Sequence, residues 1–235
     1  MEFINGFNAV DWMIVAVIAV SVIYGLYRGF INGVLSLAAL VASALLAFSL
    51  SGDLAAWLRQ NKTLVDTLIY YTDAGSRISN LDLSLLPVSQ VTESSLEQIL
   101  QVANLPSAFE TAFISGLAGA AGNVNIAQLL SQTIVGVSLS ILSFLICFLI
   151  AYTVCTVIIH LISYVFELPV LRHLDSLVGG VFGLVRGVLL TFVLFALVPI
   201  VLAVVPVDFV SEAVAASQLA PYFDSRIILE ILRGM

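Results

Sequence analysis

The sequence predicts an all-α integral membrane protein: about four transmembrane helices as two helical hairpins, with a long polar helical insertion between spans two and three. Three observations predict it. Of 235 residues, 61% are hydrophobic and only 10% are charged, against roughly 25% in a soluble domain. Mean hydropathy is +1.13, too apolar for a chain that must cover its core with polar surface. Charge is also nearly absent from four stretches, each close to or above the roughly 20 apolar residues that a spanning helix needs.

The first stretch runs from Val10 to Tyr27, with Asp11 its one charge. No Lys or Arg precedes it and no small-residue cleavage site closes it, so it reads as a retained span and not a secretory signal. The second, Phe30 to Leu50, carries no charge. Only Arg28 and Gly29 separate the two, which makes residues 1–50 a tight first hairpin.

Residues 51–131 differ in composition, with seven acids between Asp53 and Glu110 beside Arg59, Lys62 and Arg77. Leu54, Trp57, Leu58, Val65, Leu68 and Ile69 recur at helical spacing. Pro87 and the Ser-Thr cluster that follows interrupt the pattern. Ser94 and Glu97 then have capping-box spacing ahead of Leu96, Ile99 and Leu100. The region reads as an extramembrane insertion of two or three amphipathic helices lying against the membrane surface. Thr111 to Ser131 is charge-free, but Gly116, Gly119, Gly122, Asn123 and Asn125 suit a spanning helix poorly. A re-entrant segment is the alternative there.

Residues 132–206 form the second hairpin. Its first span, Gln132 to Phe166, overshoots a core of roughly 30 Å and must tilt, bend or project. Its second, Gly187 to Val205, contains Pro199, which removes a backbone donor and should kink it. Residues 207–235 make an amphipathic C-terminal tail. Arg28, Arg172 and Arg186 share one side of this arrangement. The positive-inside rule puts that side in the cytoplasm, with both termini and the insertion outside.

Composition also excludes functions. Net charge is −7, with Lys62 the single lysine, so no basic stripe serves nucleic acid. Cys147 and Cys155 lie about 12 Å apart along one helix and cannot pair. His160 and His173, with Glu167 and Asp175 nearby, lack metal-ligand spacing. No phosphate-binding glycine loop, serine elbow or His-Glu-x-x-His occurs. No catalytic residue, metal site or cofactor is expected.

Two local patterns echo each other. Gly25-Leu26-Tyr27-Arg28-Gly29 precedes the second span and Gly183-Leu184-Val185-Arg186-Gly187 the fourth. Gly25, Gly29 and Gly33 form one small-xxx-small series, and Gly179, Gly183 and Gly187 form the other. Such series let helix backbones approach closely where lipid supplies no hydrophobic drive. Asp11, Arg28, Asp175 and Arg186 are the candidate membrane charges. Either the acids cap helix N-termini and the arginines anchor interfaces, or the four form ion pairs or line a polar path.

Asp11 with Ile14-Val15-Ala16-Val17, Gly25-Leu26-Tyr27-Arg28-Gly29-Phe30 and Leu35-Ser36-Leu37 together resemble the opening of the colicin V production (CvpA) family. Leu174-Asp175, Leu177-Val178-Gly179, Gly183 and Arg186-Gly187 are similar to its second signature. Ser217-Gln218-Leu219 with Pro221-Tyr222-Phe223 is similar to its C-terminal stretch. The resemblance covers both hairpins and the tail, with the insertion outside it. It departs where the family often has an acid at Gly33 and a base at Ser176, so no ion pair through those positions is implied. The resemblance implies a multi-pass protein of the bacterial inner membrane that assists peptide toxin production or export and envelope homeostasis. Its partners would be the lipid bilayer and a second copy or other membrane proteins, without nucleic acid. A small oligomeric channel or transporter is the alternative.

Overall fold

Long charge-free sequence becomes long helix. The computed structural model describes residues 6–72, 78, 80–103, 105–120, 124–165, 172–204 and 208–223. Among them the chain is helical, and the one β contact is an isolated bridge between Pro87 and Asn125. Three helical stretches are long and apolar enough to cross a membrane: Ala9–Arg59, Ile126–Ile159 and Ser176–Leu202.

Helix α1 spans Ala9–Arg59. Asn8 caps it, accepting from the Val10 and Asp11 amides, while the Asp11 carboxylate accepts from the Asn8 amide. This reciprocal box satisfies backbone donors that the first turn leaves without carbonyl partners. Arg28 remains helical. Gly29 alone departs, at φ 78° and ψ −179°, a conformation that a Cβ would oppose. The helix then continues past Leu50 to Arg59, so the amphipathic stretch at 54–58 extends the second apolar run.

Helix α2 is Lys62–Thr72, α3 is Leu81–Ser84, α4 is Glu93–Ala103 and α5 is Ser107–Gly119. Helix α4 starts one residue before Ser94. Thr92 and Ser95 exchange the capping contacts, the Thr92 amide donating to Ser95 Oγ at 2.8 Å and the Ser95 amide to Thr92 Oγ1 at 3.4 Å. The apolar faces of α3, α4 and α5 turn onto one another, while Leu64, Val65 and Leu68 of α2 pack with Leu58, Val135 and Leu139. Ile99, Phe109 and Phe113 are fully buried in a cluster with Ile126, Leu129, Leu130 and Ile134.

Those last four residues open helix α6, Ile126–Val165. Forty residues at about 1.5 Å each far exceed a core of roughly 30 Å. The first two turns of the excess floor the insertion's own core, and Ile141, Phe144 and Phe148 farther along pack with Leu40 and Ala47 of α1. Helix α5, at 13 residues, is too short to cross alone. Gly122 and Asn123 lie outside the described residues, as do Arg77 and Glu167.

Helix α7 covers Arg172–Phe195. It therefore begins well before Gly187, and its glycine series is helical throughout. Glycine costs a helix interior about 1 kcal/mol relative to alanine, and close packing on α1 offsets that here. After Phe195 the helix breaks and resumes as α8, Val198–Val204. Pro199 has no amide to donate to the preceding turn, and the Leu197 amide turns to Leu194 O at 3.0 Å. Helix α9, Asp208–Ala215, leads to a 3-10 turn at Ala220–Phe223. Phe223 packs between Phe192 and Phe195, at ring distances of 5.0 and 5.7 Å. The tail beyond Phe223 lies outside the described residues.

Candidate functional site

The glycine series meet one another. A Cβ on Gly25 would fall on the Gly179 carbonyl oxygen and lie 2.9 Å from Gly183 Cα. One on Gly179 would lie 2.7 Å from the Gly29 carbonyl carbon, and one on Gly183 2.5 Å from Ser21 O. One on Gly187 would lie 3.0 Å from Ile18 Cα. Gly33 sits on the far side of the Gly29 break, yet it too faces Gly179, at 3.4 Å from its Cα, and Phe182. Residues on both sides of Gly29 therefore line α7. Ser176 Oγ donates to Leu26 O at 2.7 Å and fastens the first turns of α7 to the same place.

Beside this seam lies a polar crevice between α1, α6 and α7. Arg186 Nη2 donates to Tyr152 OH at 2.7 Å. The Arg186 guanidinium carbon stands 4.9 Å from the centre of the Tyr24 ring, and that of Arg28 stands 5.2 Å from the same centre. An aromatic face attracts a cation through its quadrupole, so Tyr24 steadies both arginines. Asn32 Nδ2 donates to Arg28 O at 3.1 Å and Ser36 Oγ to Gly33 O at 2.9 Å, so these polar side chains answer their own helix. Arg186 lies well inside the apolar stretch Ser176–Leu202 and not at the start of a span.

Asp11 occupies a separate place. It is fully buried, and four donors converge on it. Oδ1 accepts from Ser217 Oγ at 2.6 Å and from the Leu219 amide at 2.9 Å. Oδ2 accepts from the Asn8 amide at 3.0 Å and from the Gln218 amide at 3.3 Å. Asn8 Nδ2 also donates to Ala213 O. A carboxylate has about four lone-pair sites, and here all are taken. Asp11 thus latches the chain's end to its beginning, with no arginine beside it among these contacts.

The structure therefore brings Arg28 and Arg186 together and sets Asp11 apart from them. Asp175 lies in the first turn of α7, but its side chain, like those of His160 and His173, is outside the described residues. Among the described residues no group of three or more His, Cys, Asp or Glu side chains is placed to hold a metal ion. Tyr24, Tyr152 and Ser217 are the partners that reading the charges alone misses. Tyr24 was accessible, since it precedes Arg28 by four residues and shares its helix face. Nothing local links Tyr152 to Arg186.

The family model described as Colicin V production protein matches residues 10–80 and 108–227. The unmatched segment, 81–107, contains α3 and α4, so only this part of the insertion stands outside the match. No curated protein and no solved structure matches the chain. The match takes in the glycine seam, both arginines, Asp11 and the Ser217–Leu219 segment that Asp11 holds, and the chain belongs to the colicin V production protein family.

Proposed function

We propose that the protein is a non-enzymatic, multi-pass component of the bacterial inner membrane that assists peptide toxin production or export and envelope homeostasis through helix–helix contacts. The family membership supports the process. The observation that supports a structural mode of action is the seam of backbone-to-backbone contact between Gly25, Gly179 and Gly183, which joins α1 to α7 within the chain as small residues do in helix packing. In a strain lacking the protein, wild type should restore secretion of a peptide toxin and survival in detergent. The purified protein in liposomes should pass neither ions nor small solutes. Flux that depends on Arg186 would instead favour the channel reading, for which the polar crevice against α7 is the supporting feature.

The proposed topology has four crossings. Helix α1 holds 51 residues, about 75 Å at 1.5 Å each and more than twice a bilayer core. Gly29 offers its one break, and residues on either side face the same helix. In a background without Cys147 and Cys155, Ser94→Cys should react with an impermeant thiol reagent on intact cells. Tyr27→Cys should react only after lysis. Labelling of Ser94→Cys only after lysis would reverse the orientation, and a Tyr27→Cys that never reacts would remove the turn at Gly29.

A further inference from the structure

We propose that the crevice between α1, α6 and α7 binds a phosphate group, with Arg186 at its floor and Arg28 at its mouth. The two guanidinium carbons flank one tyrosine ring, at 4.9 and 5.2 Å from its centre, so they lie no farther apart than those distances combined. Arginine does not shed its proton in a protein. Two fixed positive charges thus share a site whose surroundings are helices apolar enough to span a membrane. The two charges repel, and one ring quadrupole does not neutralise two cations.

Several details fit an anion. Among the described residues, none that lines the crevice is acidic. Arg186 Nε is buried and has no hydrogen-bond partner among the described residues, while Nη2 is committed to Tyr152. Tyr152 accepts that bond through its oxygen and keeps its own hydroxyl hydrogen for an acceptor. The cavity between Tyr24, Arg28, Asn32, Ser36, Tyr152 and Arg186 measures about 50 Å³. A single water needs about 10–15 Å³ on this scale, so the space suits a group of a few heavy atoms. A planar guanidinium pair is well matched to phosphate oxygens. Arg28 and Tyr27 are exposed beside the Gly29 break, which leaves the mouth accessible to a lipid headgroup from the side or to free phosphate from water.

The test uses the full chain in an uncharged maltoside detergent. Thermal unfolding is followed while inorganic phosphate replaces chloride at constant ionic strength. In parallel, phosphatidylglycerol or the phosphate-free digalactosyldiacylglycerol is titrated into the micelles. Saturable stabilisation by phosphatidylglycerol but not by the galactolipid or inorganic phosphate identifies a headgroup site, and stabilisation by inorganic phosphate identifies a free-anion site. In either case Arg186→Gln should raise the half-saturating concentration at least tenfold. Arg28→Gln, whose side chain is exposed and whose fold is not at stake, should raise it several-fold, and Tyr152→Phe should do so more modestly. The Arg28 and Tyr152 variants settle the matter if Arg186→Gln does not fold. No stabilisation by phosphate or phosphatidylglycerol would overturn the proposal. Equal stabilisation of wild type and the Arg28 and Tyr152 variants would overturn it too.

Discussion

Gly179→Ala is expected to lower the stability of the protein by about 3 kcal/mol or more, the upper range for overpacking a tight interior. A single methyl group is all that the change adds. Its carbon would stand 2.7 and 2.9 Å from backbone atoms of Gly29, and closer still to the Gly25 carbonyl oxygen. No rotamer change relieves such a contact, because the obstructing atoms are main chain, at Gly25 and at the break itself in α1. Helix α7 must move away from α1, losing the contacts of Gly25 and Gly183 together. In a chain of this size the loss corresponds to a fall of about 6–12 °C in unfolding midpoint. Gly52→Ala supplies the control, since its Cβ would meet nothing within 4 Å. There the helix-propensity gain of up to about 1 kcal/mol should be neutral or stabilising. Gly180→Ala should fall between, as its Cβ would meet the flexible end of Leu26. Detergent-solubilised protein, melted with each substitution, gives the comparison. A Gly179→Ala protein that melts with wild type would show that α1 and α7 are not held by this seam.

The glycine spacing that flags this seam was legible because small residues four apart share a helix face whatever lies opposite. What spacing could not convey is that Gly29 does different work from Gly25. One supplies a backbone angle at positive φ, and the other supplies room. The apolar lengths were equally legible, since lipid excludes charge from any span regardless of its neighbours. That same rule misplaced the start of α7. Arg172, Asp175 and Arg186 read as boundary charges, yet Arg186 sits inside the helix because Tyr152 and Tyr24 answer it. Those partners are remote in sequence and unmarked by any motif. The insertion shows the complementary limit. Its amphipathic periodicity fits a membrane surface or a protein core equally well, and only the position of Phe109 and Phe113 against the opening turns of α6 selects the core. Asp11 falls between these cases. Its place near a helix start was visible and its role in the cap follows from Asn8, but its bonds to Ser217, Gln218 and Leu219 span more than two hundred residues.

Asp11→Ala is expected to release the segment 217–223 from the body of the protein while the spans remain assembled. The wild-type carboxylate receives four donors, two on each oxygen, within a fully buried site. Hydrogen bonds to a charged acceptor are about twice as strong as neutral ones, and each buried donor left without a partner costs about 1–3 kcal/mol. Removing the acceptor therefore makes the docked segment less favourable than a detached one whose amides reach water. Apolar contacts of Phe223 with Phe192 and Phe195 resist the release, so a net loss of about 3 kcal/mol is reasonable. Hydrogen exchange at the Gln218 and Leu219 amides should then quicken by about a hundredfold, because local opening sets its rate. Asp11→Asn discriminates further. An amide has one acceptor oxygen and turns an NH2 group toward the other two donors, so it should recover less than half of the protection. Ser217→Ala removes one donor to Asp11 and also the acceptor of the Ala220 amide, and alone it should weaken the latch. Added to Asp11→Ala it should change little, since residues in one network do not contribute additively. Full additivity of the two substitutions, or unchanged exchange at Leu219 in Asp11→Ala, would mean that the segment is held by its phenylalanine and not by the carboxylate.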